Sequence, residues 1–198
     1  MMEPRVITTL VLASISPRRR ELLASLGVKV DVVTSSYYEM NLPELPPIEL
    51  ARTHARGKLA GVLGQAPGAV VVAADTVVDL DGTSLGKPAD AADATRMLHA
   101  LAGRQHVVHT AFAVTLGGDV IERTASTEVR FWPLSQQEIA EYVATGDSMD
   151  KAGAYGIQGR GAALVERIDG DFYTVMGFPL GLFVRTLRDH GVILGGTR

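Results

Sequence analysis

The sequence of 198 residues contains no cysteine. That absence excludes disulfide bonds, catalysis by a thiolate and zinc sites built from cysteine. Histidine is also scarce, with five residues, and their positions show no metal-ligand spacing of the HExxH kind. A metal site built from histidine is therefore not predicted.

Long apolar runs are missing as well. No stretch approaches the 18 consecutive apolar residues that indicate a membrane span. Near the N-terminus, Arg18, Arg19 and Arg20 follow the first apolar stretch, whereas a signal peptide carries its positive charge before that stretch. We therefore expect a cytoplasmic protein without a membrane segment.

Positive charge is not in excess. Nineteen Lys and Arg residues stand against 22 Asp and Glu residues, which gives a formal net charge of -3. Broad attraction to nucleic acid is therefore not expected, and any anion site has to be built locally. Because no repeat is visible and 46% of the residues are hydrophobic, we expect one domain over residues 1–198 with a sizeable core.

Apolar segments and helix-start signals alternate along the first half of the chain. Strands are predicted over 6–13, 28–33, 69–78 and near 163–168, with a hairpin formed by 107–116 and 120–131. Helices are predicted to begin after Ser16, near residue 48, after Asp90, after Ser135 and near residue 179. This order predicts an α/β fold with a mixed β-sheet and flanking helices.

Hydroxyl groups and arginines meet at the first strand-to-helix junction, in Ser14-Ile15-Ser16-Pro17-Arg18-Arg19. The first turn of a helix offers free backbone N–H groups and the positive end of the helix dipole, which together bind anions. Arginine adds donors whose geometry suits phosphate. The segment predicts a phosphate site, although a solvated basic helix start has the same composition.

Asp75 and Thr76 come directly after the apolar residues 69–74. A carboxylate at the end of a buried strand in an α/β sheet lies where ligands usually bind. Asp75 is therefore predicted to hold a divalent cation or to activate a water molecule. The alternative is an aspartate that ends the strand and forms hydrogen bonds in a turn.

Two glycine-containing segments could also contact a ligand. Lys87, in Gly86-Lys87-Pro88, could place a point charge on phosphate, but the Walker A pattern fails because Pro88 replaces Ser or Thr. Residues 150–159 read Asp-Lys-Ala-Gly-Ala-Tyr-Gly-Ile-Gln-Gly, in which Gln158 can pair with a base edge and Tyr155 offers a ring. Taken alone, either segment is also compatible with an ordinary turn or connection.

The ordered set of these motifs resembles the Maf family. The family pattern S-x-S-P-R-R stands at residues 14–19, A-D-T at 74–76, G-K-P at 86–88, D-K-A-G at 150–153 and G-x-P-L at 177–180. The motifs follow the family's order and spacing from residue 6 to about residue 185. Each is weak by itself, but the ordered set is specific.

The resemblance implies an elongated fold related to inosine triphosphate pyrophosphatases, with an active-site cleft between two lobes. It also implies hydrolysis of nucleoside triphosphates with a divalent cation, Mg²⁺ or Mn²⁺, and a homodimer. Asp75 matches the family's proposed general base. Glu39 matches a carboxylate linked to metal or water, although its neighbours 36–38 depart from the acidic run common there. The matched phosphate-binding positions are Ser14, Arg18, Arg19, Lys58 and Lys87.

The resemblance also separates two subfamilies. Tyr155-Gly156-Ile157-Gln158-Gly159 has the Y-G-I-Q-G pattern of the dTTP and UTP pyrophosphatases, whereas the other subfamily commonly carries F-K-x-E-G and prefers 7-methyl-GTP. Arg19, Thr76 and Gln158 match the specificity positions. We therefore expect a preference for dTTP and UTP, with a monophosphate and pyrophosphate as products. A 7-methyl-GTP pyrophosphatase, a phosphate-releasing triphosphatase and a nucleotide-binding regulator of cell division remain alternatives.

Overall fold

The computed structural model describes residues 5–40 and 42–195. The predicted loop 37–47 therefore includes one residue, 41, that lies outside the described part. The strands are β1 (Arg5–Ile7), β2 (Thr9–Leu12), β3 (Lys29–Val32), β4 (Val71–Leu80), β5 (Thr83–Leu85), β6 (Gln105–Leu116), β7 (Asp119–Phe131), β8 (Val165–Asp169) and β9 (Val192–Leu194). The α-helices are α1 (Pro17–Ala24), α2 (Pro47–Leu63), α3 (Ala91–Leu101), α4 (Gln136–Ala144), α5 (Phe172–Met176) and α6 (Leu180–Asp189), and short 3₁₀ turns cover Ala152–Ala154 and Gly159–Leu164.

Seven strands form a mixed sheet, which confirms the predicted α/β fold. The order is β3-β2-β4-β6-β7-β8. Strand β5 pairs with the same edge of β4 as β2 does, farther along the strand. Strand β2 is parallel to β3 and β4, whereas β4, β6, β7 and β8 pair antiparallel. A second, two-stranded sheet joins β1 and β9 in parallel.

Local signals place the starts of three helices correctly. The side chain of Ser16 accepts a hydrogen bond from the backbone N–H of Arg19, and Pro17 occupies the first turn of α1. Asp90 caps α3 in the same way. Ser135 and Glu138 form a reciprocal capping box at α4.

The predicted strand 6–13 is wrong as a single element. Val6 is exposed and Ile7 is buried, but Thr8 and Thr9 are both exposed, so the alternation of buried and exposed side chains breaks between β1 and β2. The chain leaves the two-stranded sheet at this break and enters the seven-stranded sheet. Apolar composition does not reveal which partner each half pairs with. The strands β5 and β9 and the short helix α5 were not predicted either.

Helix α2 covers one face of the large sheet. Leu59 and Val62 pack with Ala73 and Ala113, and a smaller cluster nearer the N-terminus of α2 joins Val77. These sheet residues have odd numbers on β4 and β6, as expected when alternate side chains of a strand point to one face. Asp75 belongs to the same odd-numbered set, so its side chain faces α2.

The opposite face of the sheet carries two separate apolar clusters. The first contains Ala74 of β4 and Phe112 of β6 and is covered by α1 and α6. The second contains Val78 and Val108 on the same two strands and is covered by α3 and α4. Between the clusters stand Thr76 and Thr110, which are opposite each other in the register of β4 and β6. Two lobes in a single domain remain a prediction, and this polar boundary is where they would meet.

Within residues 5–40 and 42–195, no helix combines the length and apolar character that crossing a membrane requires.

Candidate active site

One cleft with a volume of about 1100 Å³ brings all the sequence-predicted site residues together. It opens along the edge of β4 between two pairing partners, because β2 pairs with this edge at Val71 and Val72 and β5 pairs with it from Val78 onward. Within residues 5–40 and 42–195, no strand pairs with this edge between these points, so a ligand can approach it there. The predicted residues that line the cleft are Ser14, Arg18, Arg19, Glu39, Lys58, Asp75, Thr76, Lys87 and Gln158.

The sequence analysis described Asp75 as the end of a buried strand, although the strand that it predicted, 69–78, already continued past this residue. Strand β4 continues to Leu80, and Asp75 lies near its middle, opposite Ala111 of β6. The end of the apolar run suggested the end of the strand, but pairing with β6 extends the strand further. On the other edge of β4, the parallel strand β2 ends at Leu12, which pairs with Val72. Asp75 comes three residues after Val72. Asp75 therefore still lies in the crevice beyond the carboxyl end of a parallel strand.

Asp75, Lys58 and Glu39 form a charge cluster in the cleft. The Nζ of Lys58 lies 2.6 Å from Asp75 Oδ1 and 3.0 Å from Glu39 Oε1. The side chains of Lys58 and Asp75 are only about one-tenth exposed, whereas that of Glu39 is about half exposed. Partial burial raises the pKa of Glu39, but the charge and hydrogen bond of Lys58 outweigh burial and hold that pKa below its usual value.

Two glycines of α2 allow the segment that carries Glu39 to pack closely against this helix. A β-carbon at Gly57 would overlap the ring of Tyr37, and one at Gly61 would overlap the hydroxyl of Ser35. The same segment is anchored by a hydrogen bond from Ser35 Oγ to the carbonyl of Lys58, 2.8 Å long. The sequence analysis missed this arrangement, although two glycines four residues apart on a predicted helix are a visible signal for close approach of another segment.

Tyr37 and His54 line the cleft beside this cluster and were also missed. The hydroxyl of Tyr37 lies 3.0 Å from His54 Nδ1, and His54 is buried on α2 one turn before Lys58. Burial raises the pKa of Tyr37, and the negative charges of Glu39 and Asp75 add to that increase. The pair fixes the approach of residues 35–39 to α2.

Arg19 connects three parts of the cleft. Its Nε donates to the carbonyl of Gly177 at 2.9 Å, and its two terminal nitrogens donate to Ser14 Oγ at 3.3 Å and to Thr76 Oγ1 at 3.0 Å. Burial lowers the pKa of Arg19, while Asp75 and Glu39 act in the opposite direction. A guanidinium group remains charged under such conditions, so Arg19 contributes a fixed positive charge.

Arg18 lies on the outer side of the same helix start. Its Nη1 is 2.9 Å from Asp150 Oδ2, and Lys151 Nζ contacts the other oxygen of that carboxylate. Partial burial raises the pKa of Asp150, but Lys151 and Arg18 outweigh it and give a net decrease. The first of the family-like segments is thereby tied to the D-K-A-G segment across the cleft.

Tyr155 does not offer its ring to a ligand. Its side chain is 4% exposed, its hydroxyl lies 2.8 Å from His106 Nε2, and its ring packs edge-on against Phe131. Gly153 precedes it with a φ of 67° and packs directly on Val78, so a side chain there would meet both steric and backbone strain. The buried tyrosine anchors the segment that leads to Gln158.

Lys87 and Gln158 are exposed, as Glu39 is, but they differ from Glu39 in their contacts. Lys87 follows β5, and Gln158 precedes the second 3₁₀ turn. Among the described residues, neither side chain has a hydrogen-bond partner. Both are therefore available to a ligand, Lys87 as a positive point charge and Gln158 as a donor and acceptor.

The described residues contain no group of three histidine, cysteine, aspartate or glutamate side chains that could hold a metal ion by themselves. Asp75 and Glu39 nevertheless point at one position, since both contact the ammonium group of Lys58. A carboxylate pair of this kind, completed by water and phosphate oxygens, suits Mg²⁺. The residues present therefore fit a cation that is bound jointly by protein and substrate.

The family model described as Maf-like protein matches residues 9–190. A dTTP/UTP pyrophosphatase of Thermus thermophilus is 50% identical over 182 residues, which cover 92% of this chain and 95% of the relative. A dTTP/UTP pyrophosphatase of Bacillus velezensis is 45% identical over 183 residues, with 92% and 97% covered. One of the same name from Deinococcus radiodurans is 46% identical over 189 residues, with 96% and 94% covered.

Two solved structures are similar to this chain at low sequence identity. A HAM1 protein from Coxiella burnetii is 14% identical and gives a TM-score of 0.46 over 93% of this chain and 94% of that one. Protein VC0702 from Vibrio cholerae is 11% identical and gives a TM-score of 0.40 over 70% and 68%.

Proposed function

The chain belongs to the Maf family, and we propose that it hydrolyses dTTP and UTP to the nucleoside monophosphate and pyrophosphate. The observation that carries this proposal is the convergence of Asp75, the helix start at residues 14–19 and the segment 150–159 on one cleft. These three parts supply what the reaction needs: a base, an anion site and a group that can contact the nucleobase.

Asp75 is the residue to which we assign the proton transfer. Attack on the α-phosphorus requires a water molecule that loses a proton, and a carboxylate held at a fixed position can accept it. Lys58 holds the Asp75 side chain from 2.6 Å away. No covalent intermediate is needed, because water itself attacks.

Positive groups around the cleft favour departure of pyrophosphate. Negative charge develops on the leaving group in the transition state, and preorganised positive groups stabilise it there. The positive end of the α1 dipole adds to this field. The positive side chains that we assign to the triphosphate are Arg18, Arg19, Lys58 and Lys87, together with the hydroxyl of Ser14.

Asp75 and Glu39 are the residues that would hold a divalent cation, Mg²⁺ or Mn²⁺. The cation would supply electrostatic stabilisation of phosphate oxygens when bound. Lys58 already places a positive charge between the two carboxylates, which supports their suitability for a cation.

Gln158 is assigned to the nucleobase. Its amide can pair with the imide edge that thymine and uracil share. The relatives at 44–50% identity bear the name dTTP/UTP pyrophosphatase, which favours this subfamily over the 7-methyl-GTP enzymes. A homodimer and a cytoplasmic location complete the proposal and rest on the family resemblance and the sequence pattern.

A nucleotide panel tests the proposed function. The purified protein is incubated with Mg²⁺ or Mn²⁺ and dTTP, UTP, CTP, ATP, GTP or 7-methyl-GTP, and the products are separated by chromatography. We expect pyrophosphate and the monophosphate, with the highest kcat/KM for dTTP and UTP. Orthophosphate and a diphosphate as products would reject the pyrophosphatase assignment, and a purine triphosphate as the best substrate would reject the subfamily.

A further inference from the structure

Two hydroxyl groups of the cleft bind the same guanidinium group. Arg19 donates from one terminal nitrogen to Ser14 Oγ and from the other to Thr76 Oγ1. A guanidinium group can only donate, so both hydroxyl oxygens act as acceptors toward Arg19. What each hydroxyl can still offer to a substrate depends on its remaining hydrogen bonds.

Ser14 keeps its proton free. Its oxygen accepts from the backbone N–H of Ser16 at 3.2 Å as well as from Arg19. A hydroxyl has two lone pairs and one proton, so both acceptor positions of Ser14 are used. Ser14 can therefore only donate toward the cleft, which suits a phosphate oxygen.

Thr76, in contrast, can only accept a hydrogen bond from a substrate, and a second threonine is the reason. Thr110 Oγ1 donates to the backbone carbonyl of Thr174 at 2.7 Å, and this bond uses the only proton of Thr110. The hydrogen bond of 3.0 Å between Thr76 and Thr110 must then use the proton of Thr76. With one lone pair already bound by Arg19, Thr76 has one lone pair left and can only accept.

Burial keeps this chain of hydrogen bonds in one direction. Thr110 and Thr174 are both fully buried, at the polar boundary between the two apolar clusters of the sheet. The carbonyl of Thr174 also accepts from the backbone N–H of Gly177 at 3.1 Å, but reversal of the chain would leave it 2.7 Å from the hydroxyl oxygen of Thr110 with no proton between the two oxygens. Two buried oxygen atoms at that distance repel each other unless a proton lies between them, so the direction from Thr76 through Thr110 to Thr174 is favoured.

We propose that Thr110 is a positioning residue that makes Thr76 the acceptor for the N3–H group of thymine and uracil. This inference rests on the proposed function. A phosphate has only acceptor oxygens at neutral pH and cannot pair with Thr76. The donors on dTTP are N3–H and the 3′-hydroxyl, and N3 of cytosine is an acceptor that would face the lone pair of Thr76.

Thr110→Val tests the role of the buried hydroxyl without touching the cleft. Valine has nearly the same shape, but it releases the proton of Thr76, which can then donate to N3 of cytosine. The ratio of kcat/KM for UTP to that for CTP should fall about tenfold or more, since a mispaired buried hydrogen bond has an effect of this size. An unchanged ratio in a folded Thr110→Val protein overturns the inference.

Two variants separate specificity from a loss of stability. Thr127 is also buried and donates from Oγ1 to a backbone carbonyl, that of Asp171, at 2.9 Å, but has no link to Thr76. Thr127→Val should therefore lose comparable stability and keep the UTP to CTP ratio. Thr110→Ser retains the hydroxyl and should restore the ratio. If the ratio falls equally for Thr127→Val and Thr110→Val, the cause is a general loss of stability, and the inference is overturned.

Substrate analogues test the same inference on the unmodified protein, even if Thr110→Val fails to fold. N3-methyl-UTP lacks the N3 donor and should be a poor substrate, whereas 3′-deoxy-TTP lacks the sugar donor and should remain close to dTTP. The reverse result assigns Thr76 to the 3′-hydroxyl and overturns the inference. Absence of pyrophosphate from dTTP and UTP themselves rejects the proposed function instead, so the two failures are distinguishable.

Discussion

The Nζ of Lys58 lies 2.6 Å from the Oδ1 of Asp75, and both side chains are about one-tenth exposed. One residue comes from the helix that covers the sheet and the other from the middle of the strand beneath it. Glu39 contacts the same ammonium group, so the removal of one carboxylate charge still leaves Lys58 with a partner. The chemistry of Asp75 can therefore be changed without exposing an unpaired buried charge.

Asp75→Asn should fold and bind nucleotide but lose most of its turnover. The amide is isosteric with the carboxylate but cannot accept a proton from water, and a general base typically contributes ~10²–10⁴-fold to the rate. Measurement of kcat and of nucleotide affinity checks this. Asp79→Asn is the control, because Asp79 lies on the same strand and face but pairs with His109 outside the cleft, and it should keep a near-normal kcat. A near-normal kcat for Asp75→Asn would remove Asp75 from the catalytic role.

Local features of the site could be read from the sequence. The cap at Ser16 and the proline after it depend only on neighbouring residues, and they place the start of α1 correctly. The hairpin between β6 and β7 likewise follows from Gly117 and Gly118, which adopt positive φ angles of 63° and 100°.

Features that depend on pairing between distant segments could not be predicted from the sequence. The sequence predicted a strand to residue 78, close to its observed end at Leu80, but gave no sign of which segments pair with its two edges beside Asp75. Thr110 looks like an ordinary strand residue until its partners, Thr76 and Thr174, are known. The sequence contains these residues, but only the register between strands shows that they touch.

Gly57→Ala should disturb the position of Glu39. Alanine is the better helix former by up to ~1 kcal/mol, yet its β-carbon would overlap the ring of Tyr37 and push residues 35–39 away from α2. We expect a lower kcat/KM and a higher metal concentration for half-maximal activity. Gly64→Ala is the matched control, since nothing lies within 4 Å of a β-carbon there and its φ is -69°. Equal activity of the two variants would show that the close approach at Gly57 does not matter.

Gln158→Glu should weaken the preference for dTTP and UTP more than it weakens binding of the triphosphate. A carboxylate has no N–H to offer the carbonyl oxygens of thymine or uracil and suits bases that carry amino groups. The measurement is kcat/KM across the nucleotide panel, with inhibition by inorganic triphosphate as the readout for the phosphate part. Gln136→Glu, on the exposed surface of α4, is the control for a change of charge alone. If inhibition by triphosphate changes as much as the base preference, Gln158 does not act on the base.

The buried imidazole of His106 should make the protein less stable in mild acid. Burial lowers the pKa of His106 from 6.5 to about 4. Its Nε2 bonds to Tyr155, and its Nδ1 has no hydrogen-bond partner among the described residues, so the charged imidazolium would be buried with an unpaired N–H at Nδ1. Between pH 6.5 and 4 the unfolded chain therefore binds a proton at this position that the folded chain does not bind.

The sign of the effect follows from that difference. Because the unfolded state binds more protons in this window, the free energy of unfolding is highest above pH 6.5 and falls as the pH drops toward 4, by up to about 1.4 kcal/mol per pH unit. His106→Gln removes the titration and keeps a polar partner for Tyr155. Urea unfolding between pH 4 and 7.5 should then show a shallower decline for His106→Gln than for the wild type. His99→Gln, at an exposed histidine of α3, is the control for the substitution itself and should follow the wild-type curve. Parallel curves for His106→Gln and the wild type would show that His106 takes up its proton equally in the folded and unfolded protein.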